Sequence, residues 1–297
     1  MSVLPRAPEP HGPHSLHDHR GRFLRAVASF AWLEWKTLRY YPSNLVLSLF
    51  EGLVNTGVWL FIGLFLQGVA NGQVAAYGGS YVSYVVIGVA FFEAAQTALL
   101  APFQTVSEAF WDKRLEAYHL SAYGIWAAIL GRLIWQLAYA AAIQVVIVGL
   151  IIATVGVDLA HTANPLLALL CFVLFAAACL GIGLAGASTF FLLEVKDGAE
   201  PITWLTTVVA RVASGVYYPL SIIPLWLRPL GYLVPHTYAL QAIRLVLIDG
   251  RGLGDGTVRQ DLVALTLYTS VALATGIALL RRGIRRAERV GGLSVVG

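Results

Sequence analysis

The chain has 297 residues, 58% of them hydrophobic and 12% charged. A soluble domain carries about twice that charged fraction. A soluble core of this length could not hide so much apolar surface, so the composition indicates a multispanning membrane protein. The formal net charge is +4, and the two cysteines, Cys171 and Cys179, both fall inside one apolar segment. That placement excludes a disulfide framework and points to buried packing.

Residues 1–20 form a polar tail with Pro5, Pro8, Pro10 and Pro13. The tail lacks the apolar core of a signal peptide, so no cleavage is expected and the segment is read as disordered. Its histidines, His11, His14, His17 and His19, have no fixed spacing on an element and are not taken as a metal site. Residues 21–41 read as an amphipathic helix. At about 100° per residue, Arg22, Arg25, Ser29, Lys36 and Arg39 share one arc, and Phe23, Val27, Phe30, Ala31 and Leu38 the other. Such a helix suits the membrane surface.

Six spans are predicted: 44–66, 81–101 (ended by Pro102), 125–155, 166–193, 202–218 and 262–280. Each is near the ~20 residues that cross the hydrocarbon. Residues 286–297 are read as a C-terminal tail. Fourteen of the 20 basic residues fall in the tail, the surface helix, the segment holding Lys113 and Arg114, Lys196 and the run Arg281–Arg289. Arg228, Arg244, Arg251 and Arg259 fall on the other side. The positive-inside rule then places both termini in the cytoplasm.

Between spans five and six the chain stays apolar but carries Pro219, Pro224, Pro229 and Pro235. No straight helix can pass through prolines so closely spaced. The freed backbone must be buried in protein or lie at the interface. A helix from about Ile202 is expected to break at Tyr218-Pro219, with short helical pieces dipping back before the last span. Trp226, Tyr232 and Tyr238 suit the headgroup level.

Glu51, Glu93, Arg132 and Arg211 lie within spans, where ionisable groups are costly and usually face the bundle interior. Counted at 1.5 Å per residue, Glu51, Glu93 and Arg132 all lie roughly 10–12 Å from the cytoplasmic ends of their spans. Arg132 is therefore expected to pair with Glu93 or Glu51. No Walker A sequence occurs, since the three lysines follow Trp35, Asp112 and Val195 rather than glycine. Gly181-Ile-Gly183-Leu-Ala-Gly186 matches G-x-G-x-x-G, but no strand precedes it. It is read as close helix packing by small residues. No zinc-protease or serine-hydrolase motif is present, so no catalytic, cofactor-binding or metal residues are assigned.

The proline-broken stretch, with Ser214-Gly215, Tyr218-Pro219, Ile223-Pro224-Leu225-Trp226-Leu227, Pro235-His236-Thr237-Tyr238 and Ala242-Ile243-Arg244 in order, resembles the C-terminal hallmark of type-2 ATP-binding-cassette (ABC-2) permeases. The resemblance covers about residues 20–285, and the permease domain is drawn at 21–285. It marks Pro219, Pro224, Trp226, Pro235, Tyr238 and Arg244 as the re-entrant hallmark. It implies an all-α polytopic membrane fold with six transmembrane helices, an interfacial N-terminal helix and a re-entrant hairpin. It also implies a loop helix between spans two and three that presses into a separate ATPase. Here that segment carries Glu108, Trp111, Asp112, Lys113, Arg114 and Glu116. It keeps Leu115-Glu116 and Ser121 of the family pattern but has Lys113-Arg114 for Gly-Thr and Ala122 for Pro. The implied partners are two copies of an ABC ATPase subunit, a second permease copy (the same chain or a related one) and membrane lipids, with no nucleic acid. The implied cofactors, ATP and Mg, belong to the ATPase, so this chain is not itself an enzyme. Leu233–Tyr238 is similar to the multidrug and lipid-export branch. Val-Pro stands where the polysaccharide branch carries Asn-Pro, although a polysaccharide or glycolipid permease is the alternative. An ion-driven carrier would show paired broken helices in both halves, and an intramembrane enzyme would show convergent polar residues at one depth.

Overall fold

The computed structural model describes residues 16–77, 80–120, 124–155, 162–195 and 200–290, and for 16–20 and a few other positions the backbone alone. The elements are α1 (Leu16–Tyr40), α2 (Pro42–Val74), a 3-10 turn (Ala75–Tyr77), α3 (Tyr81–Trp111), α4 (Leu115–Leu120), α5 (Gly124–Val155), α6 (Pro165–Leu192), α7 (Pro201–Ala213), a 3-10 turn (Leu220–Ile222), α8 (Arg228–Tyr232), α9 (Pro235–Leu247) and α10 (Gly256–Val290). The described residues contain no strand. Five helices are long and apolar enough to cross a membrane: α2 up to Leu66, α3, α5, α6 and α10. The tail histidines' side chains, Lys196, Ser121 and Ala122 lie outside the described residues.

Helix starts follow local chemistry. Ser80 Oγ accepts from the Ser83 amide, and Asn164 Oδ1 from the Leu167 amide. Glu200, buried, caps α7 with both carboxylate oxygens on the amides of Ile202 and Thr203. Each satisfies donors that a helix N-terminus leaves unpaired. Asp255 does the same for α10 through Thr257 and Val258. The Val258 amide, then that of Thr257 and the Arg251 guanidinium, hold the Asp255 carboxyl below the usual carboxylate range.

α3 is the central element. Its most apolar stretch is 78% buried, against 11% in α2 and 17% in both α5 and α10. α6, α5, α2 and α9 pack around it. Within a membrane there is little hydrophobic drive between helices, so close backbone approach by small residues does the work. The glycine motif shows this directly. A side chain at Gly181 would overlap the α10 backbone at Ala272 and Leu273. One at Gly183 would strike the carbonyls of Leu99 and Ala98 in α3, and one at Gly186 the Glu200 carboxylate. The motif therefore seats α6 against three neighbours.

Three expectations change. Pro102 does not end span two. It lies inside α3, which runs on to Trp111. The Ala98 carbonyl, which the missing proline N–H leaves without its helical donor, is pressed against Gly183 instead. The helix predicted over 202–218 stops at Ala213, after 13 residues starting at Pro201. Ser214 turns its hydroxyl back onto the Ala210 carbonyl at 2.5 Å, and Gly215 takes a left-handed φ of 82°. The break thus comes at Ser-Gly, before Tyr-Pro. Finally, α1 begins at Leu16 and α10 continues to Val290, past both predicted tail boundaries.

Candidate transport site

Three features are built on this frame, and the first is the end of the bundle where α3 stops. Asp112 and Lys113 turn the chain there, with Lys113 at φ 58°, before the short α4. The charged segment expected as one loop helix is thus the last turn of α3, a tight turn and α4. Asp112 pairs with Arg114 at 2.7 Å. Trp111 and Glu116 are exposed on this surface. The exposed Glu108 carboxylate accepts from Arg132 Nη1 at 2.5 Å, and Arg132 Nε lies 3.4 Å from Glu34 of α1. Arg132 therefore pairs with Glu108 and Glu34, not with Glu93 or Glu51. The expectation failed because α1 folds back onto α5. Phe30 and Val27 of α1 close so tightly on Gly131 that a side chain there would overlap them. That contact brings an unanticipated carboxylate, Glu34, next to Arg132.

The second feature is a cavity of about 920 Å³ between α2, α3 and α5. Glu51 and Asn55 line it from α2, Glu93 and Gln96 from α3, Gln136, Tyr139 and Gln144 from α5, and Arg211 from α7. Three of the four span charges singled out from the sequence thus meet in one place, and Arg132 does not join them. Asn55 Nδ2 donates to Glu93 Oε1 at 3.0 Å, and Gln96 Nε2 donates to Thr207 of α7 at 3.3 Å. The amide residues were missed at the sequence level. Their signal is polar residues at helical spacing in apolar runs: Ser48, Glu51 and Asn55 on α2, Gln136 and Gln144 on α5.

The third feature is the proline-broken stretch, which Arg244 organises. Its side chain is 2% exposed. Nε donates to the Tyr84 carbonyl at 3.0 Å, Nη1 to Gly215 at 2.9 Å and Nη2 to Val216 at 2.7 Å. The guanidinium sits 3.5 Å from the Tyr84 ring centroid. The carbonyls freed where α7 unwinds are thus satisfied by one buried fork of donors. Gly88 leaves room for it, since a side chain there would overlap Nη2 and the Val216 carbonyl. The remaining breaks are tied locally. Arg228 Nη2 donates to the carbonyls of Ser221 and Ile223, both between Pro219 and Pro224. Thr237 donates to Gly231 and Tyr238 to Tyr232 across Pro235. Leu225 and Trp226, between these breaks, are 77% and 78% exposed.

Among the described residues, no group of histidine, cysteine or acidic side chains could hold a metal ion. The arrangement is a helical bundle with a polar hollow, a broken-helix seal at one end and a charged knob at the other. A family model described as "ABC-2 type transporter" matches residues 29–248, from within α1 to the end of α9. No curated protein matches the chain.

Proposed function

Because the chain belongs to the ABC-2 type transporter family and is the membrane permease component of an ABC transporter, we propose that it exports an amphipathic drug-like or lipid-like molecule, driven by a separate ATPase chain. The observation that carries this reading is the polar cavity inside an otherwise apolar bundle. A lone charge facing lipid costs about 2.5–3.5 kcal/mol, so Glu51, Glu93 and Arg211 call for a protein or ligand surface over the cavity. A second permease copy set against α2 and α7 supplies that surface. Both helices present exposed apolar side chains, including Phe50, Val54, Trp204 and Val208. The transport path then lies at the interface of the two copies. The chain crosses the membrane six times in this reading, the fifth crossing being α7 continued by the unwound residues 214–218. α1 lies on the cytoplasmic surface, and the stretch from Leu220 to Leu247 dips back from the outside.

The ATPase docks on the knob formed by the end of α3 and α4. Co-expression with an ABC ATPase subunit is expected to give a complex that survives size-exclusion chromatography, and the permease alone is expected to hydrolyse no ATP. Trp111→Ala with Glu116→Arg, both on the exposed face, is expected to weaken that complex at least tenfold. An unchanged complex would move the docking site elsewhere.

Topology follows from the basic asymmetry. In a background lacking Cys171 and Cys179, single cysteines at Gly72 and Gly254 are expected to react with impermeant maleimide from outside intact cells. One at the exposed Arg289 is expected to react only after permeabilisation. Ala287, two residues away and so on the opposite side of the helix, is buried and would give a false negative. Labelling at Arg289 in intact cells would overturn both the orientation and the six crossings.

A further inference from the structure

A second hollow lies beside the first. It is an apolar groove of about 490 Å³ between α3, α5 and α6, walled by Ile87, Phe91, Val145, Val148, Leu169 and Phe172. Gln144 lines both the groove and the polar cavity. The two hollows are stacked along the bundle. On α5 the cavity takes Gln136 to Gln144 and the groove continues with Val145, Val148 and Ile152. On the antiparallel α3 the same order runs backwards, Gln104 to Glu93 and then Phe91 and Ile87. From Ala141 to Ile152 the groove follows α5 for roughly 16 Å, about half the hydrocarbon thickness. The polar hollow lies toward the knob end and the apolar one toward the other side.

The cavity is chemically lopsided. Its two carboxyl groups, Glu51 and Glu93, face one guanidinium, Arg211. Gln96 is 5% exposed, and its Oε1 has no hydrogen-bond partner. Gln144 Oε1 and Tyr139 Oη are also buried without partners. Unpartnered buried acceptors call for a donor, and the charge balance calls for a cation.

We propose that the two hollows together form one site for a slender amphiphile with a protonated amine head. The head lies among Glu51, Glu93, Gln96 and Gln144, and the aliphatic tail lies in the α3/α5/α6 groove. This rests on the exporter reading above and names its substrate class. An amphiphile in the cytoplasmic leaflet already has its head toward the knob end and its tail toward the midplane. It can therefore enter in the sense in which the hollows are stacked, without inverting.

The test uses the full-length permease in phosphatidylcholine nanodiscs, without ATPase or nucleotide, and dodecylamine carrying a diazirine at its chain end. Photolabelling mapped by mass spectrometry is expected to fall on the groove segments 145–152 and 165–172. The same tail with a sulfate or a maltoside head is expected to label there at least tenfold less. Glu93→Gln is expected to cut labelling by dodecylamine about tenfold and to leave the maltoside probe unchanged. Val148→Trp, which fills the groove, is expected to abolish labelling there by every probe. Because the head-group series is read on the unmodified chain, an unfolded variant does not decide the result. Equal labelling by all three heads would overturn the cationic head. Labels spread over the exposed faces of α2 and α10 would overturn the groove. Either failure would leave complex formation with an ATPase standing, and loss of that complex would leave the labelling pattern standing.

Discussion

Arg244→Met is expected to prevent accumulation of folded permease. In detergent the variant should elute as aggregate, or lose its melting transition by an amount on the order of 4 kcal/mol. The side chain makes three charge-assisted hydrogen bonds, each to a backbone carbonyl, and stacks on Tyr84. Such bonds contribute about 1.5–3 kcal/mol each. Methionine fills much of the volume but removes all three donors: Tyr84 Oη still reaches the Gly215 carbonyl, while the Val216 carbonyl loses its guanidinium donor in an apolar setting, where an unsatisfied group is costly. Lysine is expected to recover only part of the loss, because one ammonium cannot follow the fork that Nε, Nη1 and Nη2 make. Gly88→Ala should reproduce most of the defect by expelling the guanidinium. Combining it with Arg244→Met should then add little, since both changes remove the same contacts. Full additivity in thermal melts would show that Arg244 and Gly88 act separately.

Arg132→Glu is expected to leave the protein folded and to abolish ATP-driven transport, with at least a tenfold loss in a vesicle assay. Arg132 is only 19% exposed in its side chain, and it holds Glu34 of α1 and Glu108 of α3 from α5. Its partners are 31% and 54% exposed, so each pair is worth only about 0.2–1 kcal/mol of stability. The larger consequence is mechanical. A carboxylate at 132 sets three negative charges together at the junction of three helices, one turn or two from Gln136 and Tyr139 in the cavity wall. Movement of the knob would then no longer be passed to α5. The swap Arg132→Glu with Glu108→Arg should restore part of the transport. Failure of the swap, with both proteins monodisperse, would show that Arg132 acts through Glu34 alone or not through charge.

The spans were legible because length and hydropathy decide them, and five of the six predicted segments fall on α2, α3, α5, α6 and α10, with only Leu193 beyond the end of its helix. Pro102 misled because proline's effect depends on what meets the freed carbonyl, and Gly183, 81 residues away, is not visible from a local pattern. Ser214-Gly215 beat Tyr218-Pro219 as the helix stop for a related reason. Gly215 allows a left-handed turn, and Arg244 satisfies the carbonyls that follow. Depth counting put Glu51, Glu93 and Arg132 at one level, and of these Glu51 and Glu93 line the cavity. It misassigned Arg132, because depth along a span says nothing about which side of the helix faces which neighbour. Arg211 reached the cavity from the shortened α7, and its meeting with Glu93 depends on tertiary packing alone. The role of Arg244 as a donor to broken backbone was not legible, since its acceptors are carbonyls, which every residue carries.

The central burial of α3 has a consequence for how the molecule is made. Tyr84 is translated 160 residues before the arginine that covers its carbonyl. At synthesis rates of about 5–20 residues per second, the wait is roughly 8–32 s. Through that interval α3 is held by α2, whose Asn55 meets Glu93, and then by α5, while Gln96 lacks Thr207 and Gly88 lacks the arginine that seals it. Chains interrupted before residue 244 should therefore carry an open notch on α3, the form in which quality-control proteases of the membrane would meet this protein first.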